Sequence, residues 1–290
     1  MKKSLILIVA FFVSMSVFAQ QEAKVLIGKA NEALQAKNYL EAFDLYEKAM
    51  SDTAFARLNK SFNYNIALAA KGAEKNEAAL KYFDKSIEVA TADPASGISI
   101  PKCYENKASV YVKLKDLPNA LQNYEKAMEL YPEKPGSLLM NAGGIAFNLS
   151  NYEKAIGYFD QAIAMGFKPE DALLNKAGAY KKMNNDSMYM ETLLVGNAKF
   201  PENKKFSGTL SGIYVMEGNK LYKGGLDLLN ATNKKLNEKK LKAEDAEYKN
   251  SIAKVNEEYA KAVEVLKKAL ALDPANVSAP KLIEACKPVK

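Results

Sequence analysis

A two-part helical pattern constrains this fold more than any other feature of the sequence. It is clearest in the segment 104–132, YENKASVYVKLKDLPNALQNYEKAMELYP, where small and aromatic residues recur at spacings of three and four. That spacing places them on one face of an α-helix. Residues 116–118 interrupt the pattern, so the segment predicts two short helices joined by a turn. The residues on the patterned faces are Tyr104, Ala108 and Tyr111, followed by Ala120, Tyr124 and Ala127.

The same pattern recurs along most of the chain. Two helices this short bury too little apolar surface to fold alone, so each hairpin needs neighbours of the same kind. Successive copies align on one anchor residue of the second helix, and the anchors are 37, 41, 35 and 34 residues apart. This period predicts an all-α stack of antiparallel helix hairpins. The anchors are Ala42, Ala79, Ala120, Ala155 and Tyr189.

The period and the anchor residues resemble the tetratricopeptide repeat, a helix-turn-helix unit of about 34 residues. In that family small residues lie where two helices cross and aromatic residues fill the gaps between units, as Ala108, Ala120 and Tyr124 would here. Pro132 would end the unit, because proline cannot continue a helix. The resemblance implies a right-handed superhelical solenoid of about five repeats over residues 20–202.

The last third of the chain, residues 203–290, departs from this period. Residues 203–217 are predicted to be helical, although each glycine there costs roughly 1 kcal/mol relative to alanine. A long helix is expected to begin at Asn219, and we interpret residues 219–274 as one repeat drawn out into an elongated hairpin. Its second arm has a pattern close to a heptad, and residues 277–286 are expected to form a helix that caps the stack. The glycines are Gly208, Gly212 and Gly218, and the heptad-like positions are Tyr248, Ile252, Val255, Tyr259, Val263, Leu266 and Leu270.

The first residues, 1–19, have the three-part pattern of a secretory signal peptide. Lys2 and Lys3 precede an apolar run of 14 residues at 5–18, and small residues precede a predicted cleavage after Ala19. This run is shorter than the roughly 20 residues that a membrane-spanning helix needs, and no later segment is apolar enough to span a bilayer. We therefore expect an exported protein that is periplasmic, associated with the cell envelope, or secreted.

The charge distribution argues against nucleic acid as the partner. The formal net charge is +7, and it falls to +5 when Lys2 and Lys3 are removed with the signal. The lysines alternate with acidic residues along the predicted helices, which is typical of solvated faces. Arginine recognises bases and phosphates better than lysine does, and Arg57 is the one arginine in the sequence. We expect a protein or peptide partner.

The residues that most enzymes use are missing or scattered. The sequence has no histidine, which removes the commonest general base and the commonest zinc ligand. It also has no phosphate-binding glycine loop. Cys103 and Cys286 lie far apart in the predicted stack, and we interpret them as small buried residues. We expect neither enzyme activity nor a metal or cofactor.

By the same resemblance, the first helix of each repeat lines a concave wall that binds peptides or protein segments. Some members of the family hold a partner's C-terminal carboxylate there with two asparagines and three cations. Asn31, Asn65 and Lys113 match that set, whereas Ile27 and Ser109 stand where cations are expected. The candidate partner-binding residues are Asn31, Tyr64, Asn65, Lys102, Glu105, Ser109, Lys113, Met140, Phe147, Lys181 and Lys182.

Three classes of function remain open to such a chain. The leading hypothesis is a non-enzymatic exported scaffold that holds protein partners on the concave wall, with the elongated hairpin as a further binding element. The alternative is a solute- or glycan-binding envelope protein, which needs an exposed aromatic cluster that stacks on sugar rings. An enzyme would need a cleft with two carboxylates roughly 5 to 9 Å apart, as glycosidases have.

Overall fold

The computed structural model describes residues 20–131, 133 and 135–290. The predicted signal peptide at residues 1–19 lies outside the described residues, as does Pro132, the predicted end of the third repeat. Every regular element in the described part of the chain is a helix or a helical turn. This confirms the all-α class that the spacing of small and aromatic residues predicts.

Contacts within the chain divide it into two compact units. Unit 1 ends at Phe167, and unit 2 comprises Lys168–Lys290. Both contain helix hairpins, so both are built on the repeat that the sequence predicts. The domain boundary predicted after residue 202 marks a change in the regularity of the repeats, and it stays a prediction.

The described part of unit 1 contains nine α-helices. They are α1 (20–35), α2 (Tyr39–Met50), α3 (Thr53–Leu58), α4 (Asn63–Gly72), α5 (Asn76–Ala92), α6 (Ile100–Lys113), α7 (Leu117–Leu130), α8 (Gly136–Asn148) and α9 (Tyr152–Ala164). The pairs α4–α5, α6–α7 and α8–α9 pack as hairpins, and a hydrogen bond from Tyr46 to Asn31 joins α1 to α2. Contacts of α2 with α4, α5 with α6 and α7 with α8 stack the hairpins. The short helix α3 is an insertion between the first two hairpins.

The four hairpins of unit 1 close with the same type of turn. The second residue after the first helix takes a left-handed conformation. The residue that follows it donates its backbone N–H to a carbonyl five positions earlier, as Asp116 does to Tyr111 at 2.9 Å. This is the Schellman motif, which satisfies the last carbonyls of a helix. The turn therefore ends each first helix without needing a glycine. The left-handed residues are Lys37, Glu74, Lys115 and Ser150.

The core of unit 1 has the predicted composition of small and aromatic residues. Alanine at a crossing lets two helices approach at the short end of the usual 8–10 Å range. The rings of Tyr46, Phe83 and Phe159 fill the space beside these crossings and are themselves fully buried. The anchors on the second helices have no exposed surface, which confirms the predicted packing. They are Ala42, Ala79, Ala120 and Ala155.

Unit 2 contains one short hairpin and one long hairpin. Its helices are α10 (Pro169–Lys182), α11 (Asp186–Lys199), α12 (Lys204–Asn237), α13 (Ala246–Leu272) and α14 (Ser278–Ala285). Helix α10 pairs with α11, and α12 pairs with α13 along its length. Helix α14 contacts both α12 and α13, and Ala279 is its fully buried contact residue. The elongated hairpin and the final helix are therefore present.

The prediction that a long helix begins at Asn219 was wrong, because α12 runs without a break through Gly218. Of the three glycines predicted to weaken this helix, Gly208 and Gly212 have nothing within 4 Å of their Cβ positions, whereas Gly218 packs against α13. A Cβ atom on Gly218 would lie 2.6 Å from Leu266 Cγ, and one on Gly225 would lie 2.6 Å from Tyr259 Cε1. The missing side chains let α13 pack closely against α12, and this contact offsets the lower helix propensity.

The heptad-like positions of α13 face the core of unit 2. Ile252, Val255, Tyr259 and Leu266 are buried, and the ring of Tyr259 stacks on that of Tyr222 with centroids 5.6 Å apart. The tip of the hairpin has no glycine or proline, and it closes with the same left-handed turn as the hairpins of unit 1. The left-handed residue is Lys239, and Lys240 donates its N–H to Lys235 O at 2.9 Å.

The close contact of α12 with α13 predicts opposite effects for two neighbouring glycine substitutions. Gly225→Ala should lower the free energy of unfolding by about 1–3 kcal/mol, because the new methyl group overpacks against the buried ring of Tyr259. Gly224→Ala is the control, since nothing lies within 4 Å of its Cβ position, and it should raise stability by up to about 1 kcal/mol. Urea unfolding curves measure both values. Equal stability of the two variants would contradict this packing.

Candidate functional site

Polar side chains collect on the first helices of the unit 1 hairpins, α1, α4, α6 and α8. We call this the first-helix face, and it carries all of the predicted partner-binding residues in unit 1. Lys102 and Lys113 are exposed on it. The others are partly buried: Asn31, Tyr64, Asn65, Glu105, Ser109, Met140 and Phe147. The remaining predictions, Lys181 and Lys182, are exposed in the last turn of α10 in unit 2.

At one end of the first-helix face, Asn31 and Asn65 meet at one phenol. The hydroxyl of Tyr46 donates a hydrogen bond to Asn31 Oδ1 at 2.5 Å, and Asn65 also bonds to this hydroxyl. Burial raises the pKa of Tyr46, whereas the bond to Asn65 lowers it. Both amides keep further hydrogen-bonding groups, because an asparagine side chain has two N–H donors and a carbonyl acceptor.

Helices α4 and α6 are joined by a polar network that the sequence analysis missed. The Lys71 ammonium donates to Asn106 Oδ1 at 2.8 Å. The amide of Asn106 donates to the Lys102 carbonyl at 2.8 Å and to the Tyr64 hydroxyl at 3.5 Å. Burial and the nearby charge of Lys113 lower the pKa of Lys71, and the carboxylate of Glu105 raises it. The network therefore places a half-buried cation on this face.

Glu105 is the acidic centre of the first-helix face. It accepts a hydrogen bond from the Tyr131 hydroxyl at 3.1 Å. Burial and this carboxylate together raise the pKa of Tyr131 to about 12. Burial and the charge of Glu105 also raise the pKa of Tyr124, whose hydroxyl bonds to Asn141. The phenols beside Glu105 therefore stay protonated at neutral pH and act as hydrogen-bond donors.

A small cavity on this face brings three predicted residues together. Its volume is about 270 Å³, and Tyr64, Asn65 and Lys102 line it. The connector between α5 and α6 closes the cavity with residues 96–99. Gly97 in this connector has φ +75°, a conformation that glycine adopts without strain. The extra residues that lengthen the repeat to 41 thus form one wall of this cavity.

An asparagine recurs at one position of the first helix in four repeats. Each one lies fourteen residues before the anchor of its second helix. Asn65 is one of the predicted partner-binding residues, and the anchor spacing alone identifies the other three. We call the three asparagines of unit 1 the asparagine ladder, and its members are Asn65, Asn106 and Asn141. Asn175 occupies the same sequence position in unit 2.

Several of the other residues considered in the sequence analysis make packing contacts within the protein. The ring of Phe147 packs edge-on against Tyr152, with centroids 5.4 Å apart, and so supports the α8–α9 turn. Lys181 lies over the ring of Tyr189, 5.4 Å from its centroid. Ile27 is 5% exposed and belongs to the core of unit 1. One of the two positions where the carboxylate-binding set needs a cation is thus filled by a core residue.

The chemistry available on the first-helix face is hydrogen bonding and charge. Cys103 is buried, and burial raises the pKa of its thiol to about 12, so it is not a reactive thiolate. Cys286 is buried as well, as the sequence analysis expects. Within the described ranges, no group of three or more Cys, Asp and Glu residues could hold a metal ion. Such a face can recognise a ligand through its polar groups.

The contact between Glu105 and Tyr131 predicts a measurable change in the pKa of Tyr131. Glu105→Gln should lower this pKa from about 12, because a neutral amide does not repel the phenolate. Burial should keep it above the usual value of 10.0. The pKa can be followed by NMR of ¹³C-labelled tyrosine, with Glu153→Gln on α9 as the control. A pKa that is the same in both variants would contradict the proposed contact.

The same shift predicts the direction of a pH effect on stability. The pKa of Tyr131 is higher in the folded protein than its usual value of 10.0. Protonated Tyr131 therefore contributes to the free energy of unfolding below pH 10, and this contribution is lost as the pH rises toward 12. Glu105→Gln should reduce this loss. Thermal melts of both proteins at alkaline pH measure it.

Comparison with known families identifies the repeat. The family model described as "Tetratricopeptide repeat" matches residues 61–93, 101–134 and 251–276. The first two matches are the α4–α5 and α6–α7 hairpins. The third covers most of α13 and the turn that follows it, and α13 is the arm that the sequence predicts to be the second helix of an elongated repeat.

Curated proteins that this chain resembles are much longer than the aligned segment. Hsp70-Hsp90 organizing protein 1 of Glycine max is 27% identical over 135 residues, which are 47% of this chain and 21% of that protein. A DnaJ homolog subfamily C member 7 homolog of Dictyostelium discoideum is 31% identical over 114 residues, or 39% of this chain and 20% of that protein. This chain therefore spans about a fifth of the length of these relatives.

Solved structures resemble this chain over most of its length. A tetratricopeptide repeat protein from Parabacteroides merdae has a TM-score of 0.52 and 19% identity, and the match covers 92% of this chain and 99% of that one. The C-terminal part of a TPR repeat-containing protein from Cytophaga hutchinsonii has a TM-score of 0.52 and 16% identity, over 89% of this chain and 99% of that one. With the hairpins, turns and anchors described above, these matches identify the fold as an all-α stack of tetratricopeptide repeats.

Proposed function

We propose that this protein is a non-enzymatic exported scaffold that binds an extended peptide segment of a protein partner along the first-helix face. The asparagine ladder is the observation that carries the proposal. Tetratricopeptide-repeat proteins bind protein or peptide partners and are generally not enzymes. The repeats of this chain therefore support the class of function, and the ladder supports the mode of binding.

Side-chain amides are suited to holding a peptide backbone. One asparagine can donate to a peptide carbonyl and accept from a peptide N–H, so it binds a backbone without selecting a side chain. Asn106 contacts Lys71 and Tyr64 of α4, and Asn65 follows Tyr64 in the chain, so the amides of these two repeats lie on first helices that contact each other. The bond from Asn106 to Tyr64 is long, at 3.5 Å, so a ligand carbonyl can replace it. A row of such amides favours an extended ligand.

The charged groups of the face favour polar or acidic side chains on the partner. Lys71, Lys102 and Lys113 supply three cations, whereas Glu105 already accepts a hydrogen bond from Tyr131. Lys113 lies 3.6 Å from Glu74, and both side chains are largely exposed. Such an exposed pair contributes little stability, so Lys113 can exchange this partner for a ligand carboxylate at small cost.

Export is part of the proposal because of the N-terminal pattern. Lys2 and Lys3 before an apolar run and Ala19 at its end are typical of a secretory signal. No helix in the described part of the chain is both long and apolar enough to cross a membrane. On the N-terminal pattern alone, we propose that the protein is periplasmic, associated with the cell envelope, or secreted.

The exposure of the tyrosines gives the glycan-binding alternative little support. Stacking on sugar rings needs aromatic faces that are open to solvent in one place. Each of the 16 tyrosines is buried or partly buried. Tyr46, Tyr124 and Tyr259 are among the buried ones and pack between helices. The peptide-binding proposal is therefore preferred.

A random-peptide display library tests the proposed mode of binding. Peptides selected on the protein should lose affinity by about tenfold or more for the double variant Asn65→Ala, Asn106→Ala, because each amide contributes about one net hydrogen bond. Asn148→Ala is the control, since Asn148 is an exposed asparagine at the end of α8 outside the ladder. Titration calorimetry measures the affinities, and circular dichroism checks that the variants fold.

The selected sequences give a second readout. Backbone recognition predicts peptides with varied side chains, enriched in polar and acidic residues. If no peptide is selected, or if the double variant binds the selected peptides as well as the wild type does, the first-helix face does not bind as proposed.

A further inference from the structure

A second and larger cavity lies beside the inserted helix α3. Its volume is about 750 Å³, within the range of roughly 300–1,000 Å³ that is usual for small-molecule sites. Residues of α2, α3, α4 and α5 line it, and none of them lines the smaller cavity on the first-helix face. On α4, for example, Asn63 faces the larger cavity and Tyr64 the smaller one. The two cavities are separate sites in unit 1.

Helix α3 is held firmly at both ends, so the cavity has a defined edge. The carboxylate of Asp52 accepts the backbone N–H groups of Ala54 and Phe55 at 2.9 and 3.0 Å, and so caps the start of the helix. The amide of Asn59 donates to the Phe55 carbonyl at 2.8 Å. Phe55 itself is 3% exposed and belongs to the core. These contacts leave Arg57 and Leu58 free to face the cavity.

Charges of both signs line this cavity without forming ion pairs. Lys85 lies over the ring of Tyr82, 4.8 Å from its centroid, and Asp93 Oδ1 accepts the backbone N–H of Ala95 at 3.0 Å. The cationic side chains come from α3, from the turn before α4, and from α5. The carboxylates come from the last turns of α5 and from the residue that follows it. Within the described part of the chain, none of these charged groups lies in an ion pair. Cations and carboxylates therefore line the same cavity without contacting each other. The cations are Arg57, Lys60 and Lys85, and the acids are Glu88 and Asp93.

A buried amide also opens into this cavity. Asn63 lines it and is only 6% exposed. No hydrogen bond joins its side chain to a described residue. Its polar atoms are not among the fully enclosed atoms that lack a partner, so an occupant of the cavity can reach them. A buried amide without a protein partner is uncommon and is satisfied by water or by a ligand. Asn63 therefore offers one donor group and one acceptor to an occupant.

We propose that this cavity binds a short zwitterionic peptide with apolar side chains. The guanidinium of Arg57 can hold a carboxylate in a two-point contact, with Asn63 as a further donor. The carboxylates of Glu88 and Asp93 suit the terminal ammonium group. Met50, Leu58 and Val89 supply the apolar surface between these polar groups. A zwitterion can contact the cations and the carboxylates of the lining at the same time, whereas a simple anion or cation can contact only one of the two.

Tri-leucine with different end groups tests this proposal on the full chain. Free tri-leucine should bind in a saturable way and shift the NMR signals of the Asn63 side-chain amide and the Arg57 guanidinium. N-acetyl tri-leucine, tri-leucine amide and the doubly capped peptide lack one or both charges. Each should bind at least about tenfold more weakly, because a charge-assisted hydrogen bond is lost.

Variants of the lining residues locate the site. Arg57→Gln and Glu88→Gln should each weaken binding of free tri-leucine by about tenfold. Lys81→Gln is the control, because Lys81 is exposed on α5 and does not line the cavity. Arg57 and Glu88 are exposed as well, so all three variants should keep the melting temperature of the wild type.

Four results would overturn the proposal. They are no binding of free tri-leucine, equal binding of the doubly capped peptide, equal binding of either singly capped peptide, and unchanged affinity in both lining variants. Two sets of variants separate this site from the asparagine ladder. Tri-leucine bound at the ladder would lose affinity in the double variant Asn65→Ala, Asn106→Ala and keep it in Arg57→Gln and Glu88→Gln, whereas tri-leucine bound in this cavity would show the reverse.

Discussion

Close crossing of helices at alanine is the interaction on which the rest of unit 1 depends. Ala42, Ala79, Ala120 and Ala155 have no exposed surface, and their small size sets the distance between the two helices of each hairpin. Aromatic rings such as Phe83 then fill the gaps beside the crossings. Because these residues account for the core, the polar residues of the first helices are not needed for packing and can serve recognition.

Departures from the regular repeat create the features that distinguish this chain. The second hairpin is separated from the first by α3, and the third hairpin from the second by the connector at residues 94–99. Each insertion closes one cavity against α4, the larger one beside α3 and the smaller one beside the connector. Relative to a period of about 34 residues, the anchor spacings of 37 and 41 add three residues to the first interval and seven to the second. The repeat thus provides the frame, and the insertions provide the sites.

The sequence predicts the hairpins, the anchor residues and the helix-rich class because small residues and helical spacing are local signals. It does not predict the bonds of Lys71 and Asn106, because these join different hairpins and depend on where two side chains meet in space. The packing role of Gly218 could not be predicted for the same reason, because it depends on the close approach of Leu266 from the other arm of the hairpin. Of the carboxylate-binding set, the mismatch at Ile27 could be read from the sequence, since an apolar residue cannot replace a cation.

Photo-crosslinking in native cells tests the central claim, that the first-helix face of unit 1 holds a protein partner, most directly. A photoreactive amino acid at Lys102, exposed on this face, should give covalent adducts with one or a few proteins. The same group at Lys126, which is exposed on α7 and contacts Glu129, should give none of these adducts. The account is contradicted if Lys102 yields no protein adduct, or if both positions yield the same ones.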